Sequence, residues 1–391
     1  MIRITDAQRR ARLARRHHLA SPAATVEQAT TALIGLHSSD PASVFLSARA
    51  RVKHFKVSAL EAALYEHRTL VRMLGMRRTM FVVDRDVAGV MDAACTQALA
   101  PGERRKLVQL IEQQGHTSDG AKWLRRVEKL TMGALDELGE ATATELSKIV
   151  PELNLKLTMG EGKKWGGDFG ISTRVLFLLA TERRIVRARP KGSWISSQYR
   201  WATTEQWLGP FADLDQGTAR AELVWRWLHA FGPGTLVDIA WWTGWNQRDT
   251  LTALAAAEAV EVELESDPRP GYVLPDDLAP VRAPRSWVAL LPALDPTVMG
   301  WKQRDWYLGP HTPQLFDRNG NAGPTVWADG QIVGGWAQRP AGDVTVDVLA
   351  DVPKSVAAAI DGEACVLSEW LAGTRVTPRF RTPLEKELST R

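Results

Sequence analysis

A chain of 391 residues is too long for one compact core and calls for two to four domains. Apolar residues at 45% and charged residues at 24% exclude a disordered or fibrous chain, and no uncharged apolar stretch reaches the ~18 residues of a membrane span. The net charge of +4 is graded along the chain: +9 over residues 1–110, +1 over 111–217 and −6 over 218–391. A basic first third predicts a surface that faces a polyanion, although solvated helix faces would give the same count.

The N-terminal MIRITDAQRRARLARRHHLA is basic but lacks the apolar core of an export signal, so it reads as part of the fold. Two distant cysteines, Cys95 and Cys365, point with it to a reducing cytoplasm. The arginines of this segment, Arg9 and Arg12 among them, are either phosphate contacts or one solvated helix face. Residues 25–36 and 41–51 have helical spacing, and 58–67 form a third helix with Ser58 as N-cap and Glu61 three residues on. LVRMLGM and TMFVVD are strand-like and joined across Arg77 and Arg78. Three helices followed by a hairpin is the order of a winged helix-turn-helix, whose wing tip commonly meets the DNA backbone; such contacts set position rather than sequence choice.

Between the first two of these helices lies GLHSSDPASVF. One reading is a helix cap: Ser39 or Asp40 accepts from free backbone N–H groups, and Pro41 suits a first helical turn. His37 would then interact with the last carbonyls of 25–36. The other reading is chemical. An imidazole, two hydroxyls and a carboxylate within four residues can orient a water and take its proton near neutral pH.

The pattern repeats. Residues 121–138 are amphipathic, 142–150 open on a Thr142–Glu145 capping box, 171–184 make a third helix, and IVRARPKGSWISSQYRWATT reads as two strands around a basic turn. Residues 218–231, LVDIAWWTGW and 247–258 then precede VEVELESDPRPGYVLP, again two strands around a turn. After about residue 285, strand-like runs separated by NGNAGP, ADGQ and PAGD predict a small antiparallel barrel or sandwich interrupted by a helix at 353–362. Most of the 16 tryptophans, including Trp225, Trp241 and Trp242, sit at core-like positions. Nucleotide-binding glycine motifs and paired metal-ligand motifs are missing, and His17-His18 have no third ligand nearby. GEGKKWGG at 160–167 has the composition of a phosphate loop without its spacing, and reads as a loop between helices.

The predicted class is therefore α+β. Three tandem winged helices would occupy 1–110 (with the basic N-terminal helix), 111–217 and 218–284, followed by a β-barrel-like domain at 285–391. In this respect the chain resembles the AlkZ/YcaQ-type DNA glycosylases. The resemblance spans the chain and is carried by GLHSSDPASVFLSARAR (35–51), LVRMLGMRRTMFVV (70–83) and LLPALDPTVMGWKQRDWYL with LFDRNGNAGPTVWADGQIVGGWAQR (290–339). That family places a Gln-apolar-Gln or Gln-apolar-Asp motif before the second helix of its first winged helix, where it positions the attacking water. Here His37 takes the first motif position and Ser39 the second, followed by Asp40. The resemblance implies hydrolysis of the N-glycosidic bond of an alkylated purine in duplex DNA, N7- or N3-linked and including bulky or crosslinked adducts. It implies no metal, no cofactor and no lyase step, with His37, Ser39 and Asp40 as the catalytic set. Arg9, Arg12, Arg49, Arg51, Arg77, Arg78, Lys302 and Arg304 are the expected DNA contacts of a cytoplasmic, nucleoid-associated monomer. The missing glutamines keep a second reading open, a non-catalytic winged-helix regulator or architectural protein. The acidic C-terminal half keeps a third, a protein-interaction scaffold.

Overall fold

A computed structural model describes residues 1–160, 162, 166–209 and 213–391; the GEGKKWGG loop lies largely outside them. The first unit has helices Val26–Thr31, Pro41–Arg49 and Val57–Glu61, and a sheet in which Met80–Asp84 lies between Leu36–His37 and Leu70–Leu74. The helix expected over 25–36 stops at Thr31. Ile34 takes a positive φ of 63°, and Leu36–His37 continues as a strand, with His37 opposite Phe81. Gly35 allows this close approach, because a Cβ there would sit 2.7 Å from the Val83 side chain. His37 is thus a strand residue and has no helix C-terminus to cap. The Ser58 capping box does not form either: the helix begins one residue earlier, at Val57, with no side-chain cap.

The second unit repeats the arrangement with helices Gly120–Leu138, Ala143–Ile149 and Ile171–Thr181 and the hairpin Ile185–Pro190 and Tyr199–Thr203. Here the Thr142–Glu145 capping box is present in both directions. This unit has an apolar core of its own, built on Leu124, Val127, Leu146, Val175 and Leu179.

The third unit holds helices Gln216–Phe231, Leu236–Thr243 and Gln247–Ala256 and the strands Val260–Leu264 and Gly271–Val273. Its sheet is completed from the far end of the chain. Arg3–Ile4 pairs parallel with Val260–Leu264, and the helix Asp6–Arg16 packs on Gln216–Phe231. The basic N-terminal segment therefore belongs spatially to the third unit, not the first. The parallel pairing explains this, since it has no local sequence signal.

The C-terminal strands Val288–Leu291, Thr325–Ala328, Gln331–Gln338 and Val344–Val348 pair in that order, all antiparallel. The first and last do not meet, so the sheet is open where a barrel is expected. Closure is replaced by coverage. The helix runs from Lys354 to Leu371, beyond the predicted end at 362. It lays Ile360, Ala364, Leu367 and Leu371 on Leu290, Val326 and Val333, a stripe at helical spacing. One continuous apolar core joins the first unit, the third unit and this sheet. Trp227, Trp301 and Trp327 are fully buried in it, whereas Trp225 is 40% exposed.

Candidate functional site

The turn His37–Asp40 lies where the strand Leu36–His37 gives way to the helix Pro41–Arg49. Asp40 is the N-cap: its Oδ1 accepts from the Ala42 N–H at 3.1 Å and its Oδ2 from the Arg379 N–H at 3.0 Å. Burial raises its pKa and these backbone hydrogen bonds oppose the rise. With both oxygens occupied by backbone, Asp40 holds the turn in place and does not orient His37. Ser38 donates its N–H to the Met80 carbonyl at 2.7 Å, and its hydroxyl accepts from Arg72. Ser39 is half-buried, and its carbonyl accepts from the Arg379 guanidinium at 3.2 Å.

His37 is buried, edge-on to Phe81 at 5.4 Å between ring centres, and its Nδ1 has no hydrogen-bond partner. Burial, then the charge of Arg77, lower its pKa to about 3. The imidazole is therefore neutral across the whole physiological range. A neutral ring with an unpartnered nitrogen can hold a water by hydrogen bond, but it is a weak proton acceptor.

The expected DNA contacts divide sharply. Arg51 is fully buried: its Nη1 and Nη2 bond Asp295 at 2.9 and 2.6 Å, and it also donates to Thr297 and to the Ser47 carbonyl. Arg12 is 1% exposed and bonds Asp277 and two carbonyls. Arg9 is buried 4.1 Å over the Trp306 ring and 3.8 Å from Asp6. Arg49 pairs with Glu363 at 2.5 Å. All four tie parts of the fold together; Arg9, Arg12 and Arg51 are buried out of a phosphate's reach, and Arg49 is held by its acid. Arg77, Arg78 and Lys302 are exposed and Arg304 is half-buried. Arg78 pairs with Glu103 at 3.0 Å. Arg77 stacks 4.0 Å from the Trp241 ring centre, and Arg304 lies 5.0 Å from the same centre. Two guanidiniums on one indole repel each other, and Arg77's pKa is lowered by burial and then by Arg304. Sequence reasoning missed Arg72 and Arg379, which hold the turn directly. Their partners lie 34 and 339 residues away, beyond any local pattern.

A second buried imidazole gives a pH test of the fold. His17 is fully buried, with Nδ1 2.9 Å from the Thr297 hydroxyl and Nε2 3.1 Å from the Ala230 carbonyl. Burial, then the Arg51 charge, lower its pKa to about 3. The unfolded chain binds a proton here below about pH 6.5 that the folded chain refuses, so this group costs stability as pH falls. In His17→Gln that dependence disappears. The melting-temperature difference, wild type minus variant, is expected to rise from pH 5 to pH 6.5 and then level off.

A family model for AlkZ-like DNA glycosylases matches residues 30–370. Among solved structures, Streptomyces sahachiroi DNA glycosylase AlkZ superposes with a TM-score of 0.71 at 18% identity, over 94% of this chain and 97% of that one. No curated protein matches the sequence. The family match takes in the His37–Asp40 turn, the hairpin strands of all three units and the whole C-terminal sheet; the chain belongs to the AlkZ-like DNA glycosylase family, DNA-binding enzymes of DNA repair.

Proposed function

We propose that this glycosylase hydrolyses the N-glycosidic bond of N7- or N3-alkylated purines in duplex DNA, bulky and crosslinked adducts included, and that it has no lyase activity. The observation that carries the reading is His37: a neutral imidazole, edge-on to Phe81, at the position of the family's water-binding motif. Alkylation makes the base cationic and a good leaving group, so bond cleavage leaves an oxocarbenium-like sugar. A water held by His37 can attack that cation without first becoming hydroxide; the alkylated base leaves neutral, and the water's proton passes to solvent once the C–O bond has formed. The task of His37 is then to place the water more than to deprotonate it. Ser39 borders the same turn, and Asp40 fixes it.

The duplex would lie across three winged helices at 1–110 (less the N-terminal strand and helix, which join the third), 111–217 and 218–284, with the 285–391 domain as their brace and Arg77, Arg78, Lys302 and Arg304 toward the backbone. The protein would act as a monomer, near the nucleoid in the cytoplasm and without a cofactor. No helix among the described residues is long and apolar enough to cross a membrane.

Base release tests the reading. A duplex carrying one 7-methylguanine is incubated with the protein, and alkali then converts abasic sites to strand breaks. Breaks that appear only after alkali, with no borohydride-trapped protein–DNA adduct, are the expected result. Tight, salt-sensitive binding with no release from any alkylpurine duplex would replace the proposal with a non-catalytic DNA binder.

A further inference from the structure

Beside the His37–Asp40 turn, three guanidiniums arrive from three distant segments. Arg72, on Leu70–Leu74, is 3% exposed and donates to the Ser38 hydroxyl. Arg187, on Ile185–Pro190, is half-buried. Arg379, near the C-terminus, is exposed and bonds the Ser39 carbonyl. Tyr199 is the shared platform: its ring centre lies 4.7 Å from the Arg72 guanidinium and 5.2 Å from that of Arg187. Trp201 flanks Arg187 at 5.3 Å.

This cluster lacks its counter-charge. Among the described residues, neither Arg72 nor Arg187 has a carboxylate oxygen within 4.0 Å, whereas most arginines of the chain that are buried this deeply do. Asp40, which bonds the Arg379 backbone, is committed to the N–H groups of Ala42 and Arg379. Two polar atoms are also left over: Arg72 Nε and the Tyr199 hydroxyl are buried without a partner. Burial, then repulsion from Arg72 and Arg379, lower Arg187 to about 10. Buried cations and orphaned donors of this kind are costly unless something satisfies them. The cluster is open on one side only, at Arg187; Arg72 and the Tyr199 hydroxyl lie beneath the surface. Arg187, Tyr199 and Trp201 line an open depression of about 430 Å³ with Lys148 and Lys191 on its wall. Glu145, on the same wall, is occupied by the Thr142 capping box.

We propose that Arg187, backed by the buried Arg72 and Tyr199, forms a seat for one phosphodiester of the DNA backbone next to the lesion, with Arg379 at its rim. The assignment rests on the reading of the His37 turn as the reaction centre. A phosphodiester carries one charge on two free oxygens, which suits the forked donors of a guanidinium. The ring of Trp201 gives the adjoining deoxyribose an apolar wall. Because Arg72 also holds Ser38, occupation of the seat fixes the strand relative to His37. These are positioning residues and touch no reacting atom.

The test uses the full-length protein and fluorescence anisotropy over a salt series. For Arg187→Gln, affinity for undamaged duplex is expected to fall about tenfold or more, the worth of a charged hydrogen bond. The slope of log affinity against log salt should fall by about one phosphate contact. On a duplex whose register is fixed by a tetrahydrofuran abasic analogue, one neutral methylphosphonate position should weaken the wild type and leave Arg187→Gln unaffected. A variant that keeps its circular dichroism and the wild-type slope and affinity overturns the seat. If inorganic phosphate at fixed ionic strength raises the melting temperature of the wild type but not of the variant, while the two bind duplex equally, the site serves a free anion and the DNA assignment fails. Loss of the slope and methylphosphonate effects in Arg187→Gln, in a protein that releases no base, supports the seat and counts against the glycosidic reading alone.

Discussion

His37→Ala is expected to lower base release from a 7-methylguanine duplex about 10²-fold, the order for loss of a group that holds a reactant in its attack position. Affinity for undamaged duplex should stay within about twofold, because the imidazole is buried and makes no phosphate contact. Two further measurements separate placement of water from proton abstraction. With the His37 pKa at about 3, the ring does not titrate between pH 5 and pH 8, and the wild-type rate should be flat there. His37→Gln supplies a neutral hydrogen-bonding group of similar reach and should recover much of the rate. A rate that climbs tenfold per pH unit from pH 5, together with an inert His37→Gln, would show that the imidazole works as a base. Release by His37→Ala equal to wild type would remove this residue from the chemistry.

The largest expected loss of stability comes from the Arg51–Asp295 pair. Both side chains are fully buried, and two short hydrogen bonds join them. Replacing Arg51 with Met strands the carboxylate of Asp295 among Ser47, Thr297 and apolar neighbours. Breaking a buried pair by removing one partner costs about 3–5 kcal/mol. Arg51→Met is accordingly expected to lose that much in denaturant unfolding. The double variant Arg51→Met/Asp295→Leu should recover most of it, since no charge is then left alone. Base release should fall with the single variant as well. Ser47, bonded to Asp295 at 2.7 Å, sits on the helix whose N-terminus carries the His37–Asp40 turn. If the single variant unfolds like the wild type, the pair is ornamental to the fold.

What the sequence disclosed follows the range of the interactions involved. The helices of the second unit and the Thr142–Glu145 box were legible because their signals lie within a few residues. The order of helices and hairpins was legible for the same reason. The strand at Leu36–His37 was not, because two residues become a strand only by pairing with Met80–Asp84. The open C-terminal sheet was misjudged because closure depends on whether the first and last strands meet, which no local pattern encodes. At the site, GLHSSDP was found by its composition, and Asp40 caps the helix as its place before Pro41 predicts. The arginines were the weakest part. A guanidinium bound for Asp295, 244 residues further on, is indistinguishable in sequence from one bound for a phosphate. Arg187 and Tyr199 escaped notice because they belong to a different hairpin from the turn they face.

The pairing of Arg3–Ile4 with Val260–Leu264 has a consequence for biosynthesis. Arg3–Ile4 has no sheet to join until some 260 further residues have left the ribosome. The second unit, with its separate apolar core, is complete well before that. Chains therefore emerge with a settled middle and an unsettled start, and the N-terminal arginines stay in solvent until Asp277 and the Trp306 ring are made. Arg9 and Arg12 of the helix that looks most like a nucleic-acid grip in the sequence are thus free only on the nascent chain, and become internal fastenings once the third unit and Trp306 have been made.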